Sequence, residues 1–579
     1  MLFLFCSLSF FLILFSGVGY LISITPWYQI RYNPFLYPFI GISFAGLYFS
    51  IISLFSPLNV LTFLPVLFCG FIGFFLFLKS KKKSLNVTEI CVFFVFIFLI
   101  SLLLSTTEKV DAVDTLLYHA TTVSWMNASK VVLGLANLHG RLGMNSLYLQ
   151  IAAGIDVALF DKYSSYILLG LFYLSFIGFY FFEMIQGITR EKIFSCIMLT
   201  WLFVTQSLSP SLYYDVPSMI FTSIVMYELL KYLENAEEKI SLPLLFVFAA
   251  TSFCIKQMGA VNVLAIFFFG IIYTIKKRKM SFLFLTTFVA IPVLFAAVYI
   301  VRNVLQTGYP LYPLPILRLN LPWTVESGLV QGVYDDIKYW ARLPGSDYMK
   351  AKDSFIFWVI PWLKKLKNGP ESQFLFIGVL SGIISISTLI QYKMNHKKLL
   401  FLNLLLGTNI LFWFFSAPDF RFSSVLFYLL FAISLYYFDF SKTSFFYLSF
   451  ATALLMLIMR GTSRVMLSLF FTFVYLIILA KNSERKYYLL LFSLSLVFLT
   501  NLRSFDNFHF IYPSKVKSEA VTKTILKNDQ IPSLEIFVSS ESLLCGDAPL
   551  PCTPYIYINN DLKLLIPGDI YSGYYIDKK

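Results

Sequence analysis

Apolar runs of about 17–25 residues recur along nearly the whole of this 579-residue chain. Each is long enough to cross a hydrocarbon layer roughly 30 Å thick as a helix. Only 13% of the residues are charged and 58% are hydrophobic, against roughly 25% charged in an ordinary soluble domain. Mean hydropathy is +0.76. These features predict an all-α polytopic membrane protein. Spans are expected at 2–24, 36–55, 59–79, 88–106, 164–186, 193–208, 217–233, 242–256, 259–275, 281–301, 372–390, 399–415, 422–437, 444–459, 465–480 and 487–501. By length and charge these make about sixteen spans, and the expected fold is a bundle of about 13–16 transmembrane helices.

The net charge of +14 does not point to nucleic acid, because much of the excess lies in short loops between spans. These run from Lys79 to Lys83, around Arg190 and Lys192, from Lys276 to Lys279, around Lys393, Lys397 and Lys398, and around Lys481, Arg485 and Lys486. Short basic loops mark the cytoplasmic side. Placing the first of them inside puts all the others inside too. Segments 107–163, 209–216, 302–371, 416–421 and 502–579 then fall outside. The first span lacks a basic flank and a small-residue cleavage site, so it reads as a retained helix. The chain divides into N-terminal helices (1–87), a helical core with two large outer loops (88–501) and an outer C-terminal tail (502–579).

The outer segments differ in character. In 107–163, Trp125, Val131, Leu135, Leu138, Leu142 and Leu147 recur at near-helical spacing, the pattern of helices lying on a membrane surface. In 302–371, Trp340, Phe355, Phe357, Trp358 and Trp362 stand near lysines, which also reads as interfacial. The tail has two short strand-like stretches around a proline-rich turn, a small α/β unit that should dock on the membrane part. Cys6, Cys69, Cys91, Cys196 and Cys254 lie in apolar spans and read as packing residues. Cys545 and Cys552 flank Pro549 and Pro551 in the tail. An outer compartment favours a disulfide between them.

No Walker loop, dinucleotide-binding glycine pattern, Gly-x-Ser-x-Gly or zinc-spaced His/Cys cluster is present in the sequence. What remains is a set of polar residues at outer boundaries: Asp111, Asp114, Tyr118, His119, His139, Arg141, Tyr213, Tyr214, Asp215, Lys256, Arg302, Asn303, Asp419 and Arg421. Ionisable groups at a membrane boundary are expensive to keep, and facing a shared cavity they mark function. Arginines and lysines can clamp a phosphate while a carboxylate takes a proton from a hydroxyl. At least three of Asp114, Asp215, Arg302 and Arg421 are therefore expected around one point. Three of these four also have a plainer reading. Asp114 can cap an interfacial helix, Asp215 can start the next span, and Asp419 can pair with Arg421. The histidines read as structural or substrate-positioning groups, with nothing to support a metal.

The Asp114-Thr-Leu-Leu-Tyr118 segment, following a span and opening a large outer loop, resembles the GT-C membrane glycosyltransferases. Those enzymes move a sugar from a polyprenyl-phosphate carrier, and often place a further acid beside the second outer loop, as Tyr214-Asp215-Val216-Pro217 does here. The segments DTLLYH, GLANLHGRLGMNS, VRNVLQTGYPLYP, SAPDFRF and APLPCTPY together resemble a group of large uncharacterised bacterial membrane proteins related to GT-C enzymes. The resemblance implies a GT-C-like bundle in the bacterial inner membrane, the bilayer and a polyprenyl-phosphate-linked sugar as partners, and Asp114 as catalytic base. Asp111, Tyr118, His119, His139, Arg141, Tyr214, Asp215, Lys256, Arg302, Asn303, Asp419 and Arg421 would bind substrate. The chain departs from the pattern in its three additional leading helices and in Thr115, which stands where several GT-C enzymes carry a second acid. No cofactor is expected, and that departure leaves a divalent metal unsupported. Two alternatives remain: a polymerase or ligase using an undecaprenyl-diphosphate-linked glycan, and a non-enzymatic lipid or glycan transporter.

Overall fold

The computed structural model describes residues 1–25, 28, 33–80, 87–105, 113–157, 160, 162–205, 211–234, 241–276, 282–345, 348–352, 354–368, 371–391, 396–438, 511, 521–528, 531–539, 544–546, 548–554 and 561–576. Asp111 and the spans expected at 444–459, 465–480 and 487–501 lie outside the described residues.

The chain opens with α1 (Leu2–Ser23), α2 (Leu36–Ile52), α3 (Val60–Lys79) and α4 (Val87–Ser105). Small residues let the first of these approach closely. A Cβ on Gly17 would collide with the Gly70 carbonyl, and one on Gly73 with the Gly17 carbonyl, so α1 and α3 touch backbone to backbone. Such small-residue contacts suit helix pairing where apolar surroundings give no hydrophobic drive. Two short helices follow in the first large loop, α5 (Ala120–Ala128) and α6 (Leu147–Ile155).

The central helix is α7 (Ser164–Gln186), apolar all round and buried along nearly its whole length. It packs against α1, α2, α4 and α6 and against α8 (Thr189–Thr205) and α9 (Asp215–Glu234); α10 (Leu242–Ile255) packs on α9, and α11 (Ala260–Lys276) and α12 (Phe282–Thr307) pack on α10. The second large loop carries α13 (Ser327–Arg342) and α14 (Phe355–Asn368), and α15 (Ser372–Gln391), α16 (His396–Ser416) and α17 (Ser424–Tyr437) complete the described helices. Seven helices among the described residues are long and apolar enough to cross a membrane, and four more are apolar but shorter. Several keep an exposed apolar stripe at helical spacing, as Leu264, Phe268, Ile272 and Ile275 do on α11. An outward stripe of that size faces lipid rather than water.

The tail forms β1 (Val521–Asn528), β2 (Ile531–Ser539), β3 (Cys552–Pro554), β4 (Leu562–Leu564) and β5 (Tyr574–Ile576). β1 and β2 are antiparallel, β2 and β3 parallel, and β4 pairs with β5. The expected α/β tail shows strands and turns but no helix among its described residues. Cys545 and Cys552 are bridged, with Cα atoms 6.0 Å apart.

The tail also corrects the reading of the first large loop. Trp125, Leu135, Leu138 and Leu142 do not meet a membrane surface. They pack against Ile536, Val538, Leu562, Leu564 and Tyr574 in one buried cluster. The apolar stripe was real, but protein covers it. In the second loop, Phe355 and Phe357 of α14 remain exposed while Trp358 is buried.

Candidate functional site

Segments far apart in sequence meet at one end of the bundle and enclose a cavity of about 600 Å³. Asp114 enters it from a turn of unusual geometry. The residues Thr115–His119 form a π-helical turn, in which the Ala120 amide donates to Thr115 O five residues back. Such wide turns gather at functional sites. The Asp114 side chain makes no capping bond, so the capping role open in the sequence is not the one adopted. Its own amide donates to Tyr213 Oη at 3.4 Å.

Tyr213 and Tyr214 belong to the irregular stretch before α9. The Leu212 amide donates to Thr115 Oγ1 at 2.9 Å, and the Tyr118 and Tyr214 hydroxyls lie 3.3 Å apart. These bonds tie the π turn to the stretch leading into α9. Asp215 is the first residue of α9 and 8% exposed. It both opens the helix, where a negative charge is favoured, and pairs with cations.

Lys256 arrives through a helix break. After α10 the backbone of Lys256 turns extended, a short 3₁₀ turn spans Gln257–Gly259, and α11 begins. A Cβ on Gly259 would lie 2.6 Å from Phe253 N, so this tight return requires glycine. The break turns Lys256 toward Asp215, with which it forms an ion pair. Its Nζ also sits 3.2 Å from the centroid of the Phe422 ring, a favourable cation–π position.

Arg421 joins the acids. Its Nη1 lies 3.4 Å from Asp114 Oδ2, and its Nε lies 3.4 Å from Asp215 Oδ2 and 4.0 Å from Asp419 Oδ2. Asp419 mainly shapes the loop, accepting the Arg421 backbone N–H at 2.9 Å. Burial works against the Arg421 charge, but Asp215, Asp419 and Asp114 outweigh it and hold the guanidinium more firmly protonated. Three carboxylates thus surround one guanidinium. Among the described residues no group of three or more His, Cys, Asp or Glu is arranged to hold a metal ion.

His119 lines the cavity at 2% exposure, and neither ring nitrogen has a hydrogen-bond partner. Burial lowers its pKa to about 3, with Asp215 opposing and Arg421, Lys256 and Arg141 adding to the fall. It is therefore a neutral imidazole whose donor and acceptor are both unpaired beside the cavity. Burial, and then Asp114, raise the Tyr213 pKa.

Of the residues picked from sequence, Asp114, Tyr118, His119, Arg141, Tyr214, Asp215, Lys256, Asp419 and Arg421 line the cavity. Arg302 does not. It points to α2, where its Nη1 donates to Ser53 Oγ at 2.7 Å, and it lines a separate small cavity. The reason is length: α12 continues past the expected boundary at 301 to Thr307, leaving Arg302 inside a packed helix. Asn303 is buried and donates to Pro310 O at 2.8 Å, tying down the loop that follows. His139 is buried beside Arg141 but does not line the cavity, and burial followed by Arg141 lowers its pKa to about 3.

The rest of the lining, not marked in the sequence, includes Asn145, Gln257, Tyr299, Tyr312, Tyr334, Asp336, Lys338 and Trp340. Gln257 Nε2 donates to Tyr312 O at 2.9 Å and to Tyr299 Oη at 3.2 Å. Its place directly after Lys256 was a usable signal; the tyrosines were hidden in an aromatic-rich chain.

Fold and site together define a polytopic helical protein with a polar, mixed-charge cavity at one end of its bundle. Residues 1–428 match the family described as a domain of unknown function, DUF8201, and the chain belongs to that family. Every residue named above as lining the cavity falls inside the matched segment. No curated protein and no solved structure matches the chain.

Proposed function

We propose that the chain is a glycosyltransferase of the bacterial inner membrane. It would move a sugar from a polyprenyl-phosphate donor to an envelope glycan or lipid acceptor on the outer face. The observation that carries this reading is the placement of Asp114 beside Arg421 in a cavity that also holds Lys256 and Arg141. A carboxylate and several cations around one cavity are what transfer from a lipid phosphate requires.

In the proposed step the acceptor hydroxyl gives its proton to the Asp114 carboxylate while its oxygen attacks the sugar's anomeric carbon. The bond from that carbon to the phosphate oxygen breaks, and the electron pair stays on the phosphate. Lys256, Arg421 and Arg141 then face the growing negative charge, where preorganised cations count most. Arg421 at 3.4 Å also orients the Asp114 side chain. Tyr118, Tyr214 and His119 supply donors for sugar hydroxyls. Phe412 and Trp340 in the same lining give the carrier chain an apolar side. A carrier lipid would enter at the end of the bundle where apolar helices meet this cavity.

The test is reconstitution of the purified protein in vesicles with defined donors. Transfer from polyprenyl-monophosphate sugars is expected. Transfer solely from diphosphate-linked glycan would instead support a polymerase or ligase. Movement of lipid-linked glycan across the bilayer without any bond change would support a transporter.

A further inference from the structure

The π turn that carries Asp114 has an unusual counterpart in the tail. In an α-helix the Ala120 amide would donate to the carbonyl four residues back, which is Leu116. Here it reaches past it to Thr115 O. The Leu116 carbonyl is instead taken by the amide of Gly546, at 2.7 Å. The Thr121 hydroxyl returns a bond to Gly546 O at 3.4 Å. One tail residue thus holds both ends of the junction where the wide turn passes into α5.

Gly546 sits between the bridged cysteines at φ +53°, a backbone state that favours glycine. The loop is fixed from several sides. The bridge ties Cys545 to Cys552 at the start of β3. The Ala548 amide donates to Cys545 O at 2.9 Å, and the Phe537 amide to Pro551 O at 2.9 Å. The Thr553 hydroxyl donates to Leu138 O at 3.4 Å. Cys545, Ala548 and Cys552 are all buried.

We infer that Gly546, held in place by the Cys545–Cys552 bridge, is a positioning residue for the cavity: its amide occupies the Leu116 carbonyl and keeps the Thr115–His119 turn wide. Two hydrogen-bond arrangements compete for that carbonyl. With the Gly546 amide present, the helix keeps an extra residue in the turn and Asp114 faces Arg421. Without it, the Ala120 amide can return to Leu116, and the turn tightens to α geometry. Removing one residue from a turn rotates what precedes it by about 100°, which would carry the Asp114 carboxylate off the Arg421 wall. A buried carbonyl left unpaired is unfavourable, so the tightening has a driving force. The disulfide stands outside the cavity and acts through this one amide.

The inference rests on the proposed reaction for its effect on rate, but its geometric half does not. The test compares the full-length protein in lipid nanodiscs with two variants. Gly546→Pro removes the amide and leaves both cysteines in place, while also shifting the loop because proline cannot hold φ +53°; the Cys545→Ala, Cys552→Ala double variant keeps the amide and frees the loop, and is the cleaner of the two. Structures of both should show residues 115–119 no longer in the π turn and Asp114 separated from Arg421. In transfer assays kcat should fall about 100-fold, within the range for loss of a general base. Binding of polyprenyl phosphate without its sugar should stay near the wild-type value, because Lys256 and Arg141 keep their places, while donor KM should rise as Tyr118 and His119 move with the turn; a general loss of folding would abolish that phosphate binding. If either variant fails to accumulate, the folded wild type is reduced with a dithiol, which passes two electrons and two protons to the bridge. Thiol labelling scores the reduction, and the same change in the turn is expected. A π turn that persists with the bridge open and with the amide removed overturns the inference. Absence of transfer by the wild type would instead refute the reaction, leaving the structural comparison valid.

Discussion

His119 and His139 show how burial sets the chemistry of single residues here. Both are 2% exposed, and burial lowers each pKa to about 3. In an unfolded chain a histidine protonates near pH 6.5. Between that value and about 3 the unfolded state therefore binds protons that the folded state refuses, and stability falls as pH falls. At pH 5 the loss amounts to about 2 kcal/mol per histidine. The expected outcome is a melting temperature that drops between pH 7 and pH 5, with a smaller drop in His139→Gln, which does not touch the cavity. An unchanged slope in that variant would show that the proton uptake lies elsewhere. Residue identity was legible in sequence for the ionic wall, because charges are scarce in this chain and each one stands out. It was not legible for Tyr299, Tyr312 or Tyr334, three of 36 tyrosines. Arg302 was misplaced because nothing in the sequence marked the extra turn of α12.

At the level of elements, the hydropathy pattern locates most described helices to within a few residues, but not how they pack or break. The α1–α3 crossing depends on Gly17, Gly70 and Gly73 meeting backbone to backbone. Gly73→Val puts a branched side chain into that contact, and the helices must separate to admit it. Overpacking of this kind costs about 1–3 kcal/mol, so a lower melting temperature in detergent is expected, with the charged cavity left intact. A melting temperature equal to wild type would mean the crossing has room that the backbone does not show. The break at Lys256 was visible only as a short gap between spans, although it decides where Lys256 points. The π turn at Thr115–His119 left no trace in sequence, because its cause lies more than 400 residues away at Gly546. The apolar stripe of the first large loop was read correctly and assigned to the wrong partner for the same reason: its cover, the tail, is distant in the chain.

For the whole molecule, the charge rule grouped the large loops, the short loop before α9, the Asp419–Arg421 turn and the tail on one side. These segments do meet at one end of the bundle, around the cavity or against its supporting loops. A cavity at the end of apolar helices, lined by cations, carboxylates and aromatic residues together, suits a substrate that is part lipid and part sugar. The central claim is that Asp114 is the base. It is tested most directly by comparing Asp114→Asn with wild type for transfer from a polyprenyl-phosphate sugar in vesicles, at matched protein levels. The substitution keeps the shape and removes the proton acceptor. The account predicts a rate lower by about 10²–10⁴-fold. A near-normal rate in Asp114→Asn, with Asp215→Asn inactive, would contradict it.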